Sequence, residues 1–293
     1  MLHIATVATH SERYFPVLEK MIIDKKIEFH KLAHGKKYEG HSMKDKEMIK
    51  LLKTLPDEDI VVFVDGFDSL LLTDGEEILD KFKSYGKKVI ISVENIKNYF
   101  MMHSYHFQEV LGKYINTGLY MGEAKYLLII LQNIYENSSN YTEDDQYNWG
   151  NFINKSDKSD KSDKYDFDKD LVGLDTESKI FLNHSFTCNN SISFDKKKKR
   201  LVLNGKETPC FIQGNGAVNM NDIIKNIGYE KENVNKNKMF LEGIKTSYKA
   251  VFETYPALKF YISFIILGIL VLLVSIYGNY KIRKNSNVNF IFS

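Results

Sequence analysis

A strand that runs directly into two aspartates is the feature that most constrains this chain. The apolar segment Ile60-Val61-Val62-Phe63-Val64 is followed at once by Asp65-Gly66-Phe67-Asp68. In an α/β fold, the carboxyl end of such a strand opens into the ligand crevice. Two carboxylates there can hold a hard divalent cation, and that cation can hold a diphosphate. The alternative interpretation is that the aspartates cap a helix or form a tight turn.

Predicted strands and helices alternate along the first part of the chain. Apolar residues at helical spacing predict the helices, and short apolar runs between them predict the strands. This alternation is typical of a parallel sheet with helices on both faces. We therefore predict an α/β fold, with strands at residues 2–9, 27–32, 60–64 and 88–94 and helices at residues 12–23, 43–55 and 74–85.

Further acidic residues occur downstream. Asp144-Asp145-Gln146 begins a predicted helix, and its carboxylates either cap that helix or act on a substrate. In the second case, one of them orients or deprotonates an acceptor hydroxyl or stabilises positive charge at a reacting carbon. Asp175 follows a short predicted strand and is either a site acid or a turn residue.

Two glycine-containing segments are also candidates for ligand contact. Gln213-Gly214-Asn215-Gly216 follows a short predicted strand. Glycines let the backbone approach a ligand closely, and Asn offers both a donor and an acceptor. A plain turn is the alternative for this segment, and equally for Asn116-Thr117-Gly118.

Composition and motif content exclude several classes of protein. Lys and Arg number 40 against 38 Asp and Glu, so we expect no nucleic-acid partner, which would require a concentrated basic face. The basic run at residues 196–200 is interpreted as a solvated hairpin tip. The two cysteines form no disulfide framework or zinc spacing and favour a reducing compartment. The lack of P-loop, G-x-G-x-x-G and G-x-S-x-G motifs argues against NTPases, dinucleotide enzymes and serine hydrolases.

An apolar run near the C-terminus predicts a membrane span. Residues 260–277 contain no charged residue, and Ala257 and Leu258 extend the run to about 20 residues, enough to cross a hydrocarbon core. A buried core helix is the alternative. Because the first residues show no secretory signal, the simplest topology is a C-terminal anchor with the catalytic domain in the cytosol. Basic residues at 281, 283 and 284 oppose that orientation under the positive-inside rule.

These features divide the chain into four parts. The Lys-Ser-Asp repeat cannot bury apolar surface, so we expect a flexible insertion there. The predicted parts are a domain at residues 1–230 with the insertion at 154–166, a linker at 231–256, a transmembrane helix at 257–278 and a tail at 279–293.

Seven short segments, each weak alone, follow one another in a specific order and spacing. They are Ile4-Ala5-Thr6-Val7-Ala8-Thr9, Val62-Phe63-Val64-Asp65-Gly66-Phe67-Asp68, Ser92-Val93-Glu94, Asn116-Thr117-Gly118-Leu119-Tyr120-Met121-Gly122, Asp144-Asp145-Gln146, Gly173-Leu174-Asp175 with Lys179-Ile180-Phe181, and Gln213-Gly214-Asn215-Gly216. Together they resemble the glycosyltransferase domain of the procollagen lysyl hydroxylase/glucosyltransferase family, which has standalone relatives in giant viruses.

The resemblance implies a GT-A-like, Rossmann-type nucleotide-sugar-binding domain with a UDP-sugar donor and Mn²⁺ or another divalent cation. It implies transfer of a hexose, glucose or galactose, to a hydroxyl acceptor on a hydroxylysine-linked or another glycan. The implied roles are as follows: metal ligands Asp65, Asp68 and Gln213; donor-binding residues Thr6, Thr9, Lys44, Asn215 and Gly216; and catalytic residues Asn116, Asp144 and Asp145.

One implied metal ligand departs from the family pattern. The family typically has His before Gly-Asn-Gly, where this chain has Gln213. A neutral amide oxygen is a poorer ligand than imidazole for Mn²⁺. The cation therefore binds more weakly, or depends on UDP, or the chain is a degenerate, non-catalytic binder of UDP-sugars or glycans. A purely structural membrane protein is a third hypothesis. We expect no hydroxylase domain after the predicted span, and we expect a divergent acceptor pocket, since residues 99–111 also depart from the family.

Overall fold

The structure is a computed structural model. The chain divides into two compact units, Met1–Gly243 and Ile244–Ser293. The structure describes the following residues: 1–40, 42–94, 109–136, 144–155, 168–184, 191–215, 218–232, 234, 237, 241, 261, 264, 268 and 269.

Through residue 93, the first unit contains every predicted helix and strand in the predicted order, together with one short strand, Ser69–Leu71, that was not predicted. The helices are α1 (Phe15–Asp24), α2 (Ser42–Leu52), α3 (Gly75–Ser84), α4 (Ala124–Tyr135), α5 (Asp145–Lys155) and α6 (Asn221–Asn226), with a 3₁₀ helix at Lys169–Leu171. The strands are β1 (Leu2–Val7), β2 (Glu28–Leu32), β3 (Ile60–Val64), β4 (Ser69–Leu71), β5 (Val89–Val93), β6 (Glu109–Val110), β7 (Lys113–Glu123), β8 (Val172–Asp175), β9 (Phe181–His184), β10 (Ile192–Asp195), β11 (Arg200–Leu203) and β12 (Phe211–Gly214).

The central sheet is mixed, which corrects the prediction of a parallel sheet. Its strand order is β2-β1-β3-β7-β5-β8, with β6 paired to β7. Strands β1, β2 and β3 are parallel, and β5 and β8 are parallel, but β7 is antiparallel to both of its neighbours. The α/β class is confirmed, and the carboxyl ends of β3 and β5 still lie at one edge of the sheet.

Strand β7 also corrects the interpretation of Asn116-Thr117-Gly118 as a plain turn. These residues lie inside the strand, where the pairing with β5 shifts from Ile91↔Tyr120 to Ser92↔Asn116. The irregularity leaves extra residues on β7, as in a β-bulge, and such bulges re-aim side chains near functional sites. The local turn signal is therefore accommodated as a distortion within a long strand.

A second sheet brings residues distant in sequence next to the aspartates. Its strand order is β4-β12-β9, with β12 antiparallel to β4 and parallel to β9. Gln213 of β12 pairs with Ser69, the residue after Asp68, and Gly214 N–H donates to Asp68 O at 2.7 Å. This register fixes Gln213 beside the turn that follows β3.

Alternation along the central strands builds a core on each face of the sheet. On β3, Val62 and Val64 pack in a cluster with α1, α3 and the second sheet. The intervening Val61 and Phe63 pack in a cluster with α2, α4 and α5. Helices therefore cover both faces, as predicted. The second cluster includes Trp149 of α5, whose ring lies 4.9 Å from that of Tyr120.

The C-terminal predictions concern residues that are largely outside those described. Nearly all of the predicted span at 257–278 and of the insertion at 154–166 falls there. Within the described residues, no helix combines the length and apolar character needed to traverse a bilayer. The anchor and the four-part division stay predictions.

Packing of α5 onto the sheet predicts the effect of truncating its buried anchor. Trp149 is 1% exposed, so Trp149→Ala leaves a large cavity and should lower the free energy of unfolding by about 3–5 kcal/mol. Tyr147 lies on the same helix but is 38% exposed, and Tyr147→Ala should change stability by only about 0.5 kcal/mol. Urea unfolding of both variants checks this; equal effects would contradict the assigned packing of α5.

Candidate functional site

The two aspartates of the opening motif lie at the carboxyl end of β3, in the turn that leads to β4. Asp65 N–H donates to Gly118 O at 2.8 Å, which ties the turn to the irregular part of β7. A Cβ at Gly66 would lie 2.7 Å from Thr6 Oγ1, so glycine lets the turn lie directly on the end of β1. The fold thus presents both carboxylates at the edge where α/β proteins bind ligands.

Gln213 connects the two aspartates. Its Nε2 donates to Asp65 Oδ2 at 3.1 Å and to Asp68 Oδ1 at 3.3 Å. Its Oε1 is buried and has no hydrogen-bond partner among the described residues. A Cβ at Gly118 would lie within 2.5–2.7 Å of the Gln213 amide and Asp65 Oδ2, so only glycine leaves room for this cluster.

Lys44 of α2 lies between two acidic residues from different elements. Its Nζ is 2.8 Å from Asp65 Oδ1 and 3.1 Å from Asp145 Oδ2. The side chain is only 18% exposed, and its Nζ lies 5.8 Å from the centre of the Phe63 ring. Burial lowers the pKa of Lys44, but the negative charges of Asp145 and Asp65 outweigh burial and raise it well above its usual value. Lys44 is therefore a fixed positive charge beside the aspartates.

The neighbouring residues Asp144 and Asp145 have different surroundings. Asp144 Oδ1 accepts from Tyr147 N–H at 2.9 Å, the geometry of an N-cap for α5. Asp145 is directed to Lys44 and, through it, to Asp65. Asp144 therefore caps the helix, which is one of the two predicted alternatives, and Asp145 contacts the site through Lys44.

A further buried carboxylate, Glu94, lies next to these residues, and no role was predicted for it. Glu94, just after β5, is 7% exposed. Its Oε1 accepts hydrogen bonds from Asn116 Nδ2 and Asn215 Nδ2, both at 2.5 Å. Asn116 Oδ1 in turn accepts from Gly118 N–H at 2.7 Å. An available signal was that Glu94 ends an apolar strand in the same way as Asp65.

Two carboxyl groups of the site are only partly ionised near neutral pH. Burial, together with the adjacent negative charge of Asp65, raises the pKa of Asp68 to about 7. Burial alone raises the pKa of Glu94 to about 7, although hydrogen bonds from Asn116 and Asn215 act in the opposite direction. The site therefore contains more acidic groups than its cations neutralise, as expected where a positively charged ligand binds.

The remaining candidate residues have varied positions. Thr6 is fully buried against the turn at Gly66, and its Oγ1 has no partner among the described residues. Thr9 Oγ1 is instead hydrogen bonded to His10 Nδ1 at 3.0 Å, and Gly216 lies outside the described residues. Asp175 is the turn residue of the two alternatives, since it accepts from the backbone N–H groups of Lys179, Ile180 and Phe181.

The donor set fits a hard divalent cation. Carboxylate and amide oxygens are the ligands that Mg²⁺, Ca²⁺ and Mn²⁺ accept, and Gln213 supplies a buried oxygen with no other partner. No group of three or more His, Cys, Asp or Glu side chains is arranged to hold a metal in the described parts of the chain. This agrees with a site of two carboxylates and one amide, to which a diphosphate would add oxygens.

A cavity of about 1120 Å³ lies elsewhere, between α1, the β10–β11 hairpin and residues 227–232. Its walls mix lysines such as Lys20 and Lys199 with acids such as Asp24 and Glu230. None of Asp65, Asp68, Gln213 and Lys44 lines this cavity. The functional site is therefore placed at the carboxyl end of β3, where Asp65, Asp68, Gln213 and Lys44 meet.

The raised pKa of Glu94 predicts a pH-dependent stability. The folded state binds this proton more tightly than the unfolded chain, so the free energy of unfolding falls as pH rises from about 4.5 to about 7. Glu94→Gln removes the titration, so its stability relative to wild type should rise over that window by on the order of 3 kcal/mol. The free energy of unfolding of Glu94→Ala should depend on pH in the same way as that of Glu94→Gln, but it should be lower by a constant amount. Urea unfolding across this pH range checks this; a constant difference between wild type and Glu94→Gln would contradict it.

Comparison with known proteins connects this site to a family. The chain is 27% identical over 208 residues to procollagen-lysine,2-oxoglutarate 5-dioxygenase of Drosophila melanogaster, a match that covers 65% of the chain and 27% of that relative. The chain thus spans about a quarter of the length of this curated relative.

Solved structures show weaker likeness. A glycosyltransferase involved in the glycosylation of the major capsid of PBCV-1 is 10% identical, with a TM-score of 0.36 over 62% of this chain and 85% of that one. The 4-diphosphocytidyl-2C-methyl-D-erythritol synthase of Anaerococcus prevotii is 12% identical, with a TM-score of 0.35 over 59% of this chain and 87% of that one. At these TM-scores, neither likeness bears on fold or function.

The model of one protein family matches most of the chain. It is described as the PLOD GT domain, and it covers residues 1–239, which include every strand, every helix and the whole site described above. Membership of this family supports a glycosyltransferase-type function. The chain belongs to the PLOD glycosyltransferase-domain family.

Proposed function

We propose that this protein is a membrane-anchored glycosyltransferase that transfers glucose or galactose from a UDP-sugar to a hydroxyl acceptor on a hydroxylysine-linked or another glycan. The observation that carries the proposal is the convergence of Asp65, Asp68 and Gln213 with Lys44 at one edge of the sheet. Buried acids there suit a divalent cation, and Lys44 suits the phosphates that such a cation binds.

The donor half of the site would stabilise the leaving nucleotide. A divalent cation held by the two aspartates and Gln213 would neutralise charge that develops on the diphosphate. Lys44 would add a second positive charge from the side of α2, since its high pKa keeps it charged at neutral pH. Thr6 and Asn215 lie at the ends of β1 and β12, where they would contact the nucleotide and sugar.

The acceptor half would use the acids on the far side of Lys44. Asp145 is paired with Lys44 at 3.1 Å, so a diphosphate that draws Lys44 away would release Asp145 from this ion pair, and the carboxylate would then orient or deprotonate an acceptor hydroxyl. Asn116 and Glu94 form a hydrogen-bonded pair that would recognise sugar hydroxyls, because an amide and a carboxyl together offer donors and acceptors.

Removal of one cation ligand tests the proposal. Asp65→Ala should lower UDP-sugar turnover at least about a hundredfold, because cation-assisted charge stabilisation contributes several kcal/mol. The fold should persist, since the substitution removes a negative charge that disfavours ionisation of Asp68. Release of UDP from a panel of UDP-sugars, together with circular dichroism, measures both effects.

The exposed Asp222 supplies the matched control, because its side chain is 90% exposed and pairs with Lys231 at 3.5 Å on the surface. Asp222→Ala should retain normal turnover. Normal turnover in Asp65→Ala would refute the metal assignment.

A second candidate function is binding of UDP-sugars without transfer. The Gln213 amide favours it, because its N–H group already satisfies both aspartates. Under this alternative, the protein binds UDP but releases none from any donor sugar, with or without Mn²⁺.

A further inference from the structure

The residue that departs from the family pattern occupies the centre of the cation site. Gln213 is 4% exposed, and its backbone is held by pairing with Ser69 on one side and Asn183 on the other. Its amide is therefore delivered to the two aspartates by a rigid sheet. Residues so positioned act as ligands with little cost in ordering.

The amide has one satisfied end and one unsatisfied end. Nε2 bonds to both aspartates, while Oε1 is buried without a partner in the described parts of the chain. Buried polar atoms without partners are rare and call for an explanation. Rotation about the broad terminal torsion would exchange the two ends, which have nearly the same shape. It gives up the two N–H hydrogen bonds to the aspartates, and a cation between the carboxylates would replace them. After rotation, Oε1 faces the carboxylates, as a cation between them requires.

The rotated arrangement presents only oxygen. Asp65 and Asp68 offer carboxylates, and Gln213 offers an amide carbonyl. Imidazole nitrogen suits transition metals, whereas carboxylate, carbonyl and water suit Mg²⁺, Ca²⁺ and Mn²⁺ alike. An oxygen-only set therefore loses the preference for Mn²⁺ over Mg²⁺ that a nitrogen ligand provides.

We propose that Gln213 is the ion-selectivity residue of the site: it completes an all-oxygen shell that accepts Mg²⁺ as readily as Mn²⁺. This inference rests on the proposed function, because the nucleotide diphosphate supplies the remaining ligands. With two carboxylates and a neutral amide, the ion is retained jointly with UDP.

Ion binding can be measured without turnover. Free aqueous Mn²⁺ gives a sharp electron paramagnetic resonance spectrum that weakens on binding, so the purified full chain, in excess over UDP, can be titrated with Mn²⁺ and then challenged with Mg²⁺. The same titration of UDP without protein gives the part of the signal loss that the nucleotide alone causes. In wild type, Mg²⁺ should displace Mn²⁺ at concentrations within about tenfold of the Mn²⁺ present. In Gln213→His, displacement should require at least about ten times more Mg²⁺ than in wild type.

Gln213→Glu separates charge from donor type. It keeps oxygen and adds negative charge, so it should bind both ions more tightly than wild type while leaving the ratio of Mg²⁺ to Mn²⁺ affinity unchanged. Circular dichroism confirms that each variant is folded.

The outcomes distinguish this inference from the proposed function. Equal Mg²⁺ to Mn²⁺ ratios in wild type and Gln213→His would overturn the role of Gln213 and leave the transferase proposal intact. Bound UDP without any bound cation in wild type would also overturn it. Failure of UDP itself to bind, measured by calorimetry in the same buffer, would instead overturn the proposed function.

Discussion

The rest of the site depends on two ion pairs, which the ammonium group of Lys44 forms with Asp65 and Asp145. The ammonium group lies between Asp65, at the end of a central strand, and Asp145, at the start of a helix on the sheet's face. Two carboxylates that face the same ammonium group repel each other, and the repulsion is strong where water is scarce. A buried cation between them compensates that repulsion, and it also fixes α2 and α5 relative to the sheet edge. Because the pairing is electrostatic, a competing anion can rearrange it without repacking either hydrophobic cluster.

Sequence patterns predicted the parts of the molecule that are determined locally. An apolar run followed by acids predicted both the strand β3 and the placement of Asp65 and Asp68 at its carboxyl end. Helical spacing located α1, α2 and α3 to within a few residues, and Asp74 caps α3 through Glu77 N–H at 3.0 Å. Lys44 was assigned only from the family resemblance, and it reaches Asp65 from α2 with its ammonium group 5.8 Å from the centre of the Phe63 ring on β3.

The features that sequence patterns missed depend on long-range pairing. Asn116-Thr117-Gly118 signals a turn in isolation, but strands on both sides hold it as an irregular part of β7, and tertiary context outweighs local preference. Asp144 and Asp145 are chemically identical in the sequence and are distinguished only by helix geometry. The role of Glu94 depends on two asparagines that lie 22 and 121 residues away along the chain.

The hydrogen bonds of the site form a closed circuit. Asp65 bonds to Gly118, Gly118 to Asn116, and Asn116 to Glu94. Glu94 also accepts from Asn215, two residues beyond Gln213, and Gln213 returns to Asp65. A ligand bound at Glu94 and a ligand bound at Asp65 would therefore contact the same chain of hydrogen-bonded residues. By thermodynamic reciprocity, if a ligand at Glu94 changes the affinity at Asp65 through these residues, a ligand at Asp65 changes the affinity at Glu94 by the same factor.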